Sequence, residues 1–434
     1  MDLKERLYKL ENLNFTIKKY REEILEALET DLGKSMEEAY LSEYLMVVEE
    51  LSYAIKNLPK WAKKERKILP FYQQVGKGEI HYLPYGRVGI ASPWNYPFLL
   101  AMAPAIGALA AGNTVVLKTS KKAPATSKII KEIFAEVYAE EEVLVYGLEE
   151  GSRQRFMDED IDFLFFTGST KVGRQMAKLA GEKMIPLVLE LGGKSPIIVS
   201  EAENLKTVAR RIIWGKTLNA GQTCVAPDYL LVRKDLEEPL KAEMNKAIGE
   251  FFGPNPLDSP HLSSIIDLDH FNRLASLLKD QGLYEDSLVD YEKLKFVPRV
   301  FSTDMTSPFM EEEIFGPFLP VLAFEKLEDC AEIIKAHKNP LALYLFTEDK
   351  KEISYVLENI SFGGGAINDT LVHLSIPSLP FGGVGASGQG SYHGKYSFET
   401  FSRKVSILKK SAKIDLPFRY PPYKGFDPKK FFKK

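Results

Sequence analysis

The chain is poor in the residues that most often staple a protein together or hold a metal. Its 434 residues include 2 cysteines, 6 histidines and 3 tryptophans. Two thiols cannot support a disulfide scaffold or a cysteine-rich zinc site, and they fit a reducing, cytoplasmic compartment. The histidines are scattered without HExxH-type spacing, so no metal is expected. No charge dominates: 57 basic residues stand against 60 acidic ones, for a net charge of −3. Without a basic excess, no nucleic-acid partner is expected. Long apolar runs are also missing. The longest, residues 98–111, is broken by Pro104 and Gly107. It falls short of the roughly 20 residues that a membrane span needs, so it reads as a buried helix. The first residues, Met1-Asp2-Leu3-Lys4-Glu5-Arg6, have no apolar signal core, so secretion is not expected.

What is present is a long alternation of short apolar runs with amphipathic ones. Residues 1–66 are charged and amphipathic, with Leu3, Leu7 and Leu10 at helical spacing, and read as helices packed on a core. Residues 73–83 and the strand-like 86–90 suggest a hairpin or arm. Strands are expected at 114–117, 143–146, 163–166 and 229–232, and helices at 126–138, 171–180, 205–218 and 236–252. This alternation signals parallel sheets with helices on both faces, in two successive α/β regions. Residues 409–434 differ: nine basic residues against two acidic ones, with Phe and Tyr interleaved among prolines. Such a tail can lie on an anionic membrane surface or pack as an extended arm, and the arm is the reading favoured here.

The two thiols are placed differently. Cys330 lies in the helix-like run Glu328-Asp329-Cys330-Ala331-Glu332-Ile333-Ile334, where a cysteine packs as a small hydrophobe. Cys224 ends the turn Asn219-Ala220-Gly221-Gln222-Thr223-Cys224, where a thiol can meet a small molecule. A thiol is mostly protonated near neutral pH, so a nucleophilic cysteine needs activation and a partner. Glu190, in Glu190-Leu191-Gly192-Gly193-Lys194, is the first candidate. Two strand ends look equipped for a cofactor. Phe166-Thr167-Gly168-Ser169-Thr170-Lys171-Val172-Gly173 runs from strand through a turn into a helix, aiming N–H groups at a phosphate. Lys118, at the end of another strand, can hold ribose hydroxyls or simply face solvent.

Together these blocks resemble the aldehyde dehydrogenase superfamily over nearly the whole chain. The matching segments fall in order: Pro93-Trp94-Asn95-Tyr96-Pro97, Leu117-Lys118, Phe166-Thr167-Gly168-Ser169-Thr170, Leu189-Glu190-Leu191-Gly192-Gly193-Lys194, Gly221-Gln222-Thr223-Cys224, Glu313-Ile314-Phe315-Gly316-Pro317 and Pro380-Phe381-Gly382-Gly383. The absence of a long N-terminal extension and the block Gly388-Gln389-Gly390-Ser391-Tyr392-His393-Gly394-Lys395 are similar to the class 3 branch.

The resemblance implies a Rossmann-like NAD(P)-binding domain at 1–72 and 85–190 and a second α/β catalytic domain at 191–400. It also implies a small β oligomerisation arm at 73–84 and 401–410, followed by the basic-aromatic tail at 411–434. It implies a homodimer that oxidises medium- or long-chain aliphatic or aromatic aldehydes. Cys224 matches the nucleophile and Asn95 the oxyanion amide. Glu190 matches the base that activates water on the thioester. Lys118, Gly168, Ser169, Gly173, Glu313 and Phe315 match cofactor positions. Trp214 and Tyr96 are candidates for a channel wall, although a core role is the expectation for each. His393 is expected to order the C-terminal loop. One departure bears on the cofactor: Lys121 stands where NAD-preferring members often carry a glutamate, and Lys122 follows. Two cations there would admit a 2′-phosphate, so both NAD and NADP are expected, unless both lysines face solvent. An acylating, coenzyme A-dependent enzyme and a silent protein on this fold are the alternatives. Glu190 argues against the first, and Cys224, Glu190 and Asn95 together argue against the second.

Overall fold

The computed structural model describes residues 2–70, 73, 76–415, 420–422 and 427. Most of the tail at 411–434, and with it the expectation of a membrane-facing or packed arm, lies outside the described residues. Two six-stranded sheets and one three-stranded sheet organise the rest.

The first sheet runs Gly388–Gln389, Leu187–Glu190, Phe163–Thr167, Arg87–Ala91, Thr114–Lys118 and Val143–Tyr146. All pairs are parallel except the first, where Gly388 faces Glu190 in antiparallel register. The range 191–400 thus contributes to both large sheets. The central strand Phe163–Thr167 is buried at all five positions, as a parallel strand covered on both faces must be. The apolar run expected to be a helix forms one at Leu99–Ala111, with every residue buried despite Pro104. Its amino end is satisfied by Glu43, whose carboxylate accepts the N–H groups of Phe98 (2.9 Å) and Leu99 (3.0 Å). Glu43 is itself paired with Lys34 at 2.6 Å, and neither side chain is exposed. The helix ends where Gly112 adopts φ +94°, a left-handed cap that glycine accepts without strain.

The second sheet runs Arg299–Ser302, Phe318–Phe324, Tyr229–Arg233, Pro196–Val199, Ala342–Phe346 and Gly364–Ile367, all parallel. Cys330 packs fully buried in the helix Leu327–Ala336 behind this sheet, as a small hydrophobe. The three-stranded sheet joins Glu65–Lys67, Gly76–Pro84 and Ser402–Lys410, all antiparallel. Its first strand, Glu65–Lys67, comes from the charged segment expected to be helical; the helix Leu45–Trp61 ends just before it.

Candidate active site

The two large sheets approach the site with opposite ends. In the first, the functional residues follow the strands: Asn95 lies just past Arg87–Ala91, and Lys118, Thr167 and Glu190 end their own strands. In the second they precede the strands. Lys194 comes before Pro196–Val199, Cys224 and Asp228 before Tyr229–Arg233, and Glu313 and Phe315 before Phe318–Phe324.

The nucleophile turn is tightly held. Asn219 and Ala220 both take φ +52° and Gly221 takes φ +76°, three left-handed residues in a row, which is costly for the first two. Hydrogen bonds hold this conformation. Asn219 donates from Nδ2 to the Asn95 carbonyl (2.6 Å) and to the Gln222 carbonyl (3.2 Å). Its backbone N–H donates to Glu38 (2.7 Å). Gln222 donates to Asn219 O (3.0 Å) and Ser264 O (2.9 Å), and accepts the Ile266 N–H (3.0 Å). Glycine is required at 221 because a Cβ there would strike the Gly316 backbone. Asn95 is 4 % exposed and donates to the Gln222 carbonyl at 3.0 Å, so its amide is fixed against the turn that carries Cys224. Next to it, the Tyr96 hydroxyl and Thr223 Oγ1 lie 2.6 Å apart.

A cavity of 620 Å³ reaches this turn and has both Cys224 and Glu190 in its wall. Burial pushes the Cys224 thiol up to about 12, assisted by the nearby Glu313 and Glu190 carboxyls; the N–H groups of Cys224 and Val225 act in the opposite sense. Glu190 is 2 % exposed, and neither carboxylate oxygen has a hydrogen-bond partner among the described residues. Burial alone holds its carboxyl well above the usual range. A buried, unpaired carboxyl is expensive to keep and marks a functional position. Tyr96 and Trp214 both line the cavity. Tyr96 is buried, but Trp214 is 40 % exposed, so the expectation of a core role for Trp214 is corrected. The reason is the position of its helix, Leu205–Thr217, whose end forms part of the cavity wall.

On the other side of the turn a second cleft, of 560 Å³, is lined by Gly192, Gly193, Lys194, Glu313 and Phe315 among others. The acidic run divides: Glu311 and Glu312 face solvent, while Glu313 tucks against the Gly192-Gly193 turn. Burial, with Asp228 nearby, pushes Glu313 up to about 8, against the opposing effect of the Gly193 N–H. Lys194 fixes this loop. Its Nζ donates to Asp228 (2.5 Å), Phe309 O (2.7 Å) and Glu312 O (2.9 Å), while Asp228 accepts the Ile314 N–H (3.0 Å). Phe315 takes φ +51°, and its ring meets Trp94 edge-on at 5.6 Å.

Of the residues expected to bind a cofactor, Lys118, Gly168, Ser169 and Gly173 lie at the end of the first sheet, while Glu313 and Phe315 precede a strand of the second. Ser169 caps the helix Thr170–Lys183 by accepting the Val172 N–H, and the Gly168 N–H donates to Glu190 O (3.0 Å). A side chain at Gly173 would collide with Leu191, so glycine lets the helix approach the Glu190 segment. Lys118 Nζ donates to the carbonyls of Thr119 and Gly147. Lys121 is exposed and close enough to lower the pKa of Lys118. Lys122, also exposed, pairs through its Nζ with Asp267 at 2.5 Å. The strand-end lysine, the amino end of the helix Thr170–Lys183 and the glycine-permitted close approach fit a dinucleotide.

Sequence reasoning missed Asn219, Lys194, Asp228 and Glu38. Lys194, directly after Gly192-Gly193, was visible but had no partner in sequence to explain it. His393 behaves as expected: it is buried, its N–H donates to Ser397 Oγ (2.8 Å), and its ring packs on Phe381 and Tyr392.

A half-buried cysteine sharing a cavity with an unpaired carboxyl, beside a cleft that fits a dinucleotide at a parallel-sheet end, defines a thiol-dependent α/β oxidoreductase. The comparisons with known proteins agree. The chain belongs to the aldehyde dehydrogenase family, whose profile matches residues 1–407, and it is an aldehyde-oxidising, NAD(P)-dependent enzyme. It is 43 % identical over 432 residues to 4,4'-diaponeurosporen-aldehyde dehydrogenase of Staphylococcus aureus (strain NCTC 8325 / PS 47), covering 98 % of this chain and 93 % of that one. It is 40 % identical over 425 residues to aldehyde dehydrogenase family 3 member H1 of Arabidopsis thaliana, covering 96 % and 88 %. The solved substrate-bound state of Staphylococcus aureus AldH superposes with a TM-score of 0.94 at 42 % identity, over 98 % of this chain and 93 % of that one.

Proposed function

We propose that the enzyme converts apolar aldehydes, medium- or long-chain aliphatic or aromatic, into carboxylic acids with hydrolytic deacylation. The observation that carries this reading is the cavity itself. Leu41, Leu45, Met46, Leu99, Trp214 and Phe251 line a passage that also has Cys224 and Glu190 in its wall. Cys224 attacks the aldehyde carbonyl, with the free N–H of the Asn95 amide and the Cys224 N–H as oxyanion donors. Glu313 and Phe315, which line the second cleft, would hold a nicotinamide cofactor that would accept the hydride. The resulting thioester is hydrolysed by water from which Glu190 takes a proton, restoring the thiol and releasing the acid.

Lys118, Gly168, Ser169, Gly173, Glu313 and Phe315 hold the cofactor, and Lys121 admits the 2′-phosphate of NADP as well as NAD. The pairing of Lys122 with Asp267 leaves Lys121 as the residue that decides. Lys121→Glu is expected to lower kcat/KM for NADP about tenfold relative to NAD; an unchanged ratio removes Lys121 from this role. An aldehyde panel with both cofactors, followed by identification of the product, tests the main reading. A free acid is expected, and an acyl-coenzyme A product on adding coenzyme A would overturn hydrolytic deacylation. Among the described residues the outer edge of Ser402–Lys410 pairs with no further strand, which supports a homodimer joined through the three-stranded sheet, to be checked by light scattering. Two unpaired thiols fit a cytoplasmic setting, which localisation of the tagged full chain checks.

A further inference from the structure

The cavity that leads to Cys224 has an unusual charge inventory. Four of its described lining residues are glutamates, Glu37, Glu38, Glu49 and Glu190, and none is lysine or arginine. Glu37 and Glu49 are exposed, on the helices Met36–Ala39 and Leu45–Trp61, so they stand at the outer opening. Glu38 lies further in, with one oxygen taken by the Asn219 N–H (2.7 Å) and Ser263 Oγ (3.1 Å). At the inner end stands Glu190, with both oxygens unpartnered and 2 % exposure.

Among the described residues no lysine or arginine lines the cavity to offset Glu37 and Glu49, while burial pushes the carboxyls of Glu38 and Glu190 up, toward their neutral forms. Lys34 lies behind the Tyr96 ring, 4.0 Å from its centroid, and is paired with Glu43. Arg210 lies over the Phe251 ring at 5.1 Å, but its guanidinium is bonded to Glu250. Of the two histidines in the wall, His393 is pushed down to about 4 by burial and stays neutral, leaving His261. In an apolar passage, uncompensated charges of one sign act over longer distances than at an open surface.

We propose that Glu37 and Glu49, the two exposed carboxylates at its opening, make this cavity a charge filter. It passes neutral molecules to Cys224, rejects aldehydes whose far end carries a carboxylate, and disfavours return of the carboxylate product. The substrate class is thereby narrowed to aldehydes with an uncharged chain. This inference rests on reading the cavity as the aldehyde passage.

The filter is tested without turnover by alkylating Cys224 in the full chain with iodoacetamide, which is neutral, and with iodoacetate, which is an anion. In each case the thiolate forms the S–C bond and iodide leaves. Mass spectrometry follows Cys224, since Cys330 is fully buried. The native enzyme is expected to prefer iodoacetamide, relative to free cysteine. The Glu37→Gln/Glu49→Gln double variant is expected to narrow that preference about tenfold, and high salt to narrow it in the native enzyme by screening. A parallel arm compares kcat/KM for nonanal and 9-oxononanoate, where the variant is expected to narrow the ratio similarly. An alkylation preference that is unchanged in the double variant overturns the filter. If the preference shifts but nonanal is not oxidised, the filter stands and the aldehyde reading falls.

Discussion

The two large parallel sheets differ in which end they bring to the chemistry. The first presents strand carboxyl ends, carrying Asn95, Lys118, Thr167 and Glu190; the second presents strand amino ends, preceded by Lys194, Cys224, Asp228 and Glu313. A carboxyl-end rule for open α/β sheets therefore finds the cofactor side and overlooks the nucleophile side. The two sides are also held differently. On the first, glycines and a helix cap shape the backbone around Ser169 and Gly173. On the second, buried charges and side-chain amides hold loops in place: Lys194 with Asp228, and Asn219 with Gln222. On the proposed mechanism neither sheet alone completes the reaction, because Cys224 precedes a strand of one and Glu190 ends a strand of the other.

The sharpest way to separate the two contributions is to remove each reacting group in turn. Cys224→Ala, on the second side, is expected to abolish turnover, by about 10⁴-fold or more, with no first-turnover burst of reduced cofactor in stopped flow. Glu190→Gln, on the first, is expected to lower steady-state kcat by about 10²–10⁴-fold but to keep the burst, since acylation precedes its step. Loss of the burst in Glu190→Gln would break the division of labour. The same carboxyl sets the pH response. A base works deprotonated, and burial holds Glu190 well above the usual carboxyl range. Deacylation is therefore expected to rise with pH through a range above that of an ordinary glutamate, and Glu190→Gln to remove that limb.

A smaller effect tests how the second side is held. Asp228→Ala leaves the buried Lys194 without its counter-charge and is expected to cost about 3–5 kcal/mol in denaturant unfolding. Asp228→Asn, which keeps an acceptor for the Ile314 N–H, is expected to cost less. The smallest effect concerns the segment that crosses back to the first sheet. Glu50 is buried, accepts the Gly394 N–H at 2.7 Å, and is pushed up to about 7 by burial. The folded state thus keeps this proton over a range where the unfolded chain has lost it. The associated stability is fully present below the ordinary carboxyl pKa and is lost as pH rises through about 7. Between about pH 5 and pH 8 the native protein is expected to lose up to about 3 kcal/mol from this group. Glu50→Gln should flatten that slope, as read by Tm against pH.

The amino-acid sequence by itself determined most element types, with Glu65–Lys67 the exception, and it singled out Cys224 and the Gly168-Ser169 turn as candidates. These depend on local chemistry: apolar periodicity, a glycine-rich turn after a strand, a serine before a helix, and one cysteine outside a helical pattern. Residues 98–111 show the same point, since an uncharged run of that length has few options other than a buried helix. What only the tertiary structure decided depends on partners distant in sequence. Lys194 needed Asp228 and Phe309, Asn219 needed Asn95 and Glu38, and Lys122 was drawn from the expected phosphate site to Asp267. Trp214 was drawn to the cavity wall by where its helix lies. The raised pKa values of Cys224 and Glu190 belong to the same class. Burial is a property of the packed chain, and no neighbour in sequence reveals that a carboxyl will be left without a hydrogen bond.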